Sequence, residues 1–185
     1  MSSREEMKKF IPVPDSIFAE SDAHLVFESI YFHLLKLFDH QILSPELIDE
    51  YPDFPESAKT AWYLWHFAME VSSSGLPDYL SNHCSSVQQI KLTRHALAVV
   101  AADELKMLLD AAIPFARDVA KEYGEFSVFP QDVWFEQFDV SSSWPEPDLI
   151  AETSLRLAGL PLSSLVGTYL RAHREELQCK GGGGV

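Results

Sequence analysis

Ten carboxylates are the residues of this chain best suited to act on another molecule. Glu46, Asp49, Glu50 and Asp53 recur three and four positions apart, Glu56 follows three further on, and Glu136, Asp139, Glu146, Asp148 and Glu152 make a second set. Carboxylates four positions apart on a helix stand about 6 Å apart along its axis, in the range of neighbouring phosphates on a DNA strand. Such a row can face a basic protein surface; surface acids can also do no more than keep an apolar-rich protein soluble. His66 and Glu70, four apart, would share a helix face, but two ligands are too few for a metal site. His24, His33 and His40 do not fall on one face, and no His-Glu-x-x-His run occurs. Neither metal nor cofactor is expected. Cys84 beside His83 lacks an orienting acid, and there is no glycine-framed nucleophile, phosphate loop or dinucleotide fingerprint. No enzymatic activity is expected. The remaining enzymatic alternative, a small hydrolase using Glu70 with His66, would require a concave pocket around both.

Charge narrows the partners. Acids outnumber Lys and Arg by 28 to 14, for a formal net charge of −14. Residues 15–56 hold ten acids and one base, residues 57–124 seven acids and six bases, and residues 125–152 seven acids and no base. A field of this sign repels nucleic acid and anionic membrane surfaces and attracts basic proteins. Direct nucleic-acid binding and membrane binding are therefore not expected. No apolar run nears the roughly 20 residues of a membrane span. Met1–Glu6 lacks the apolar core of a secretory signal. With only Cys84 and Cys179, far apart in sequence, a reduced, cytoplasmic protein is expected. The oligomeric state is left open, a homodimer among the options.

Helices must position these groups. In residues 22–40, Phe27, Ile30, Tyr31, Leu34, Leu37 and Phe38 form one apolar stripe, with Ser21 the expected N-cap. Ser44-Pro45-Glu46 opens a short helix, and Tyr51-Pro52 and Phe54-Pro55 disfavour its continuation. An aromatic helix runs from Glu56 to Val71, ended by Ser72–Gly75 with Gly75 left-handed. Ser86-Val87-Gln88-Gln89 is a capping box for a helix to about Val100. Asp103 caps the next, which is kinked at Pro114 and ends near Tyr123. Val133, Trp134, Phe135 and Phe138 suggest a short helix, and Ser141–Pro147 a turn. Asp148 caps a helix to Leu157, and Pro161 opens the last, to about Leu177. No strand alternation or internal repeat is evident. The expected architecture is an all-α, single-domain bundle of about seven to eight helices over residues 21–177, with an N-terminal extension at 1–20 and a flexible tail at 178–185.

The segment from Trp62 to His83 sets Trp62, Trp65, Tyr63 and Phe67 beside Glu70-Val71, then Gly75, Tyr79 and Asn82. This arrangement resembles the signature of a bacterial all-helical family long known only as a domain of unknown function, one member of which imitates DNA. Glu70, Val71, Gly75, Tyr79 and Asn82 match its pattern. Ser72, Ser73 and Ser74 stand where the family has Asn residues and a first Gly, and Leu76 replaces an aromatic. The resemblance spans about Ala58 to Leu177. It implies a helical fold in which Trp62, Trp65, Glu70, Gly75, Tyr79 and Asn82 are structural, Glu70 locking helices together. Joined to the charge pattern, it implies an acidic interaction protein that mimics DNA towards a basic DNA-binding regulator or nucleoid protein. The alternative from another class is an immunity or adaptor protein that recognises its partner through apolar contacts, with Trp134 or Trp144 exposed as an anchor.

Overall fold

A computed structural model describes residues 10–38, 48, 51, 53–83, 87–123 and 161–178. Every regular element among them is an α-helix, so the fold is all-α: α1 (Asp15–Phe18), α2 (Ala23–Leu37), α3 (Glu56–His83), α4 (Val87–Val99), α5 (Asp103–Tyr123), α6 (Leu162–Ala172) and α7 (Arg174–Gln178). The helices expected near Glu46, Val133 and Asp148 lie outside the described residues. Packing groups the chain into two compact units, Met1–Trp65 with Pro161–Val185, and His66–Leu160.

In the first unit α2 buries the stripe Val26, Phe27, Ile30, Tyr31 and Leu34. Its N-cap is Asp22, not the expected Ser21: the Asp22 carboxylate accepts from the His24 N–H at 2.9 Å. Both residue types cap well, and Asp22 alone sits where its side chain reaches the second N–H of the helix. The helix closes at Leu37 rather than 40, with Phe38 leaving helical geometry. Against α2 lies α6, which buries Leu162, Val166, Gly167 and Leu170. A Cβ at Gly167 would stand 1.7 Å from the Ala23 carbonyl oxygen, so this crossing admits only glycine.

The single last helix expected after Pro161 is two. At His173 the backbone turns aside (φ −104°, ψ 22°). The ring Nδ1 of His173 donates to the Tyr169 carbonyl at 2.9 Å, and the two rings pack with centroids 4.0 Å apart. The segment before α2, expected as an extension, contributes Phe10, Val13 and Phe18 to the buried set.

The aromatic helix α3 does not stop at Ser72–Gly75; it continues through Gly75 and Pro77 to His83. Ser72 and Ser73 donate their hydroxyls to the carbonyls of Met69 and Glu70, each at 3.0 Å, an arrangement that helical backbone accommodates. Beyond them Leu76, Tyr79 and Leu80 are fully buried. A helical glycine costs about 1 kcal/mol relative to alanine, whereas burying one large apolar side chain contributes about 1.5–3 kcal/mol. Burial wins.

The second unit packs α4 against α5, burying Ile90, Ala96 and Leu97 from one and Leu105, Leu109, Ala112 and Ile113 from the other. Both helices lie where the capping box and Asp103 place them, although Asp103 is the first residue of α5 and not its cap. α4 ends in a left-handed residue that is not glycine: Ala101 has φ 56°. Its N–H donates to the Ala98 carbonyl at 3.0 Å and the Ala102 N–H to the Leu97 carbonyl at 2.9 Å, the paired bonds of a Schellman stop.

Candidate partner-binding surface

Of the ten nominated acids the described residues include two. Asp53 is exposed in the turn before α3, and Glu56 is exposed in the first turn of that helix, at the positive end of its dipole. Glu46, Asp49, Glu50, Glu136, Asp139, Glu146, Asp148 and Glu152 lie outside the described residues, as do Trp134 and Trp144. Glu56 is joined at 3.3 Å by Lys59, one turn along, a surface pair of the kind worth about 1 kcal/mol or less.

Structure adds acids that spacing could not reveal. Tyr169 on α6 is half-buried and hydrogen-bonded to Thr60, with Glu176 and Glu56 close enough to act on it. Burial is the main force holding its phenol above the ordinary tyrosine range; the Thr60 bond opposes this, and the two carboxylates add to it. Glu56 and Glu176, 120 positions apart in sequence, therefore influence one aromatic group. Glu20 and Glu175 are further exposed acids of the same unit. Asp15 is held below the ordinary carboxylate range, first by hydrogen bonds from Arg174 and Gln178 and then by the Arg174 charge.

In the second unit the described acids divide: Asp103 and Glu104 are exposed in the first turn of α5, whereas Asp110 is half-buried and paired. Asp110 on α5 accepts from Arg94 of α4 through one oxygen and from Lys106, at 2.7 Å, through the other. Glu70 is half-buried, and its neighbour on the helix face, His66, is buried. The Ser72 and Ser73 hydroxyls donate to main-chain carbonyls. The buried polar contact that joins α3 to α4 is Tyr79, whose hydroxyl lies 2.8 Å from that of Thr93. Burial drives the Tyr79 phenol far up, a shift reduced by bonds from Thr93 and Gln89 and enlarged by the Glu70 charge. Thr93 and Gln89 were not foreseen, because nothing in α4 taken alone announces a tyrosine opposite.

Trp62 is fully buried, and Trp65 stacks on Tyr31 at 4.3 Å with the rings 11° apart. Gly75 and Asn82 lie within α3. Among the described residues no three His, Cys, Asp or Glu side chains gather as a metal site would require, and no helix is long and apolar enough to cross a membrane.

No curated protein and no solved structure matches this chain significantly. Residues 52–173 match the DMP19-like protein family, a span of more than half the sequence that holds α3, α4, α5 and α6 together with Asp53, Glu56 and the Trp62–Asn82 motif. The chain belongs to the DMP19-like protein family.

Proposed function

We propose that this chain is a non-enzymatic, acidic interaction protein that offers ordered carboxylates, in place of DNA phosphates, to a basic DNA-binding regulator or nucleoid protein. The observation that carries this reading is the segregation of charge, with ten acids against one base over residues 15–56 and seven against none over 125–152. Membership of the DMP19-like family, a DNA-mimic family, supports it. So does the exposure of Asp53 and Glu56, the two of the ten nominated acids that fall among the described residues. Such a partner places the protein in the cytoplasm.

Contacts between exposed charges are screened over about 8 Å at physiological ionic strength, so affinity should fall steeply with added salt. Changing Glu46, Asp49, Glu50 and Asp53 together to Gln or Asn should weaken capture of the basic protein at least about tenfold while thermal unfolding stays the same, and DNA should compete. Capture that ignores salt, or that survives this fourfold neutralisation, removes the proposal. A second reading, recognition through apolar contacts, has one observation in its favour: Phe32 on α2 is 46% exposed, its ring edge-on to Trp65 at 5.9 Å. In that case Phe32→Ala would abolish binding and salt would leave it untouched.

A further inference from the structure

The segment ahead of α2 is held in the way a ligand is held. Residues 10–14 form no helix or strand, and Pro12 and Pro14 have no backbone N–H to give to one. Its polar ties fall at every second residue. The Ile11 carbonyl accepts from Nε2 of His33 at 2.9 Å. The Val13 N–H donates to the Leu177 carbonyl at 2.8 Å. The Asp15 carboxylate accepts from Arg174 Nη2 at 2.6 Å and from the Gln178 side-chain amide. Just beyond, Arg171 donates to the Glu20 carbonyl.

Apolar anchors accompany these ties. Phe10, Val13 and Phe18 are all buried. The Phe10 ring meets that of Phe54 edge-on at 5.3 Å, and the Arg174 guanidinium lies over Phe18 at 5.7 Å. A non-helical chain tied through its main chain at alternate residues, anchored by buried apolar side chains and finished by a carboxylate on an arginine, is held as captured peptides are. The groups that capture it come from α2, α6 and α7. The charged tie is open to water, Asp15 being 73% and Arg174 49% exposed at the side chain, so it orients more than it binds. Residues 10–18 and α7 both lie outside the span shared with the family.

We infer that residues 10–18 are the resident ligand of a peptide groove formed by α2, α6 and α7. The groove takes an extended apolar segment followed by a carboxylate, and the chain's own strap occludes it. The link from strap to α2 is only residues 19–22; so short a tether keeps the strap at an effective concentration of the order of millimolar, which excludes weaker competitors. Release would uncover apolar side chains together with the guanidinium groups of Arg171 and Arg174.

The test uses the full-length chain and a fluorescent synthetic peptide with the sequence of residues 10–20. Wild type should not bind the peptide, its groove being filled. Asp15→Lys sets two cations against each other; it should speed exchange of the Val13 amide roughly three- to tenfold, leave amides of α4 and α5 unchanged, and make the chain bind the peptide. Asp15→Asn should give the same order with smaller changes. Asp15→Lys combined with Arg174→Glu should restore protection and abolish peptide binding. If Val13 exchange is unaltered in Asp15→Lys, the carboxylate is no latch. If the strap opens and the peptide still fails to bind, the strap is ordinary packing and the groove is not a site.

Discussion

In the first unit the core is a continuous run of rings, from Phe10 through Phe54, Phe38 and Trp62 to Tyr31 and Trp65, with neighbouring centroids 4.3–5.6 Å apart. In the second, buried polar groups do part of that work: Tyr79 meets Thr93 within the core, and one carboxylate, Asp110, accepts from cations on two helices. The difference concerns what is left for other molecules. Aromatic packing uses no charge, so the acids of the first unit, among them Glu20, Asp53, Glu56, Glu175 and Glu176, remain on its surface. A carboxylate paired within the molecule, as Asp110 is with Arg94 and Lys106, has its charge offset before any partner arrives.

The comparison can be broken at several points. Gly167→Ala strikes the first unit hardest, because the new methyl must displace the Ala23 backbone; a loss of about 3 kcal/mol is expected. Chemical denaturation should register it, with hydrogen exchange placing the loss in α2 and α6. If the substitution is neutral, the close helix approach is wrong. Tyr79→Phe tests the polar core of the second unit. It leaves the Thr93 hydroxyl buried without its partner and should cost about 1–3 kcal/mol. Adding Thr93→Val should recover part of that loss, since both polar atoms then leave together; strictly additive losses would mean the bond is immaterial.

Ala101→Gly goes the other way. It relieves the left-handed strain at the end of α4, and about 0.5–1 kcal/mol of added stability is expected, seen as a higher melting temperature. The smallest effect is electrostatic. Asp15 has a lowered carboxyl pKa in the folded chain, so its contribution to stability is complete above its ordinary value. That contribution is lost as pH falls through the lower folded value. Wild type should exceed Asp15→Asn in melting temperature near neutrality, and the gap should close below about pH 4. A gap independent of pH would show that the carboxylate is not what Arg174 holds.

Local pattern revealed much of this architecture and little of its wiring. The α2 stripe was readable because Phe27, Ile30, Tyr31 and Leu34 repeat at helical spacing and are all buried. The length of α3 was not, since local propensity at Ser72–Gly75 argues for a stop while the burial of Leu76, Tyr79 and Leu80, invisible in a short window, argues for continuation. Tyr79 could be singled out only through resemblance. Its partner Thr93 is fourteen residues away on another helix, and pairing at that distance leaves no periodic trace. Lys106 and Asp110 are four apart and readable as a pair, whereas Arg94 joins them through tertiary packing alone. The end of α4 was placed near Val100, but its means was hidden, because the left-handed Ala101 lacks the glycine that ordinarily marks a stop. Among the candidate acids, composition singled out Asp53 and Glu56 as carriers of the field; that Glu56 and Glu176 both act on Tyr169 required the fold.

At residue 167 the genetic alphabet contracts to one letter, because the crossing of α2 and α6 leaves no volume for even a methyl group. Any homologous chain carrying a bulkier residue there must have spread its two helices apart, and its surface should be redrawn along both. That single position thus serves as a test, readable from primary sequence, of which cousins can be superposed on this half of the molecule and which cannot.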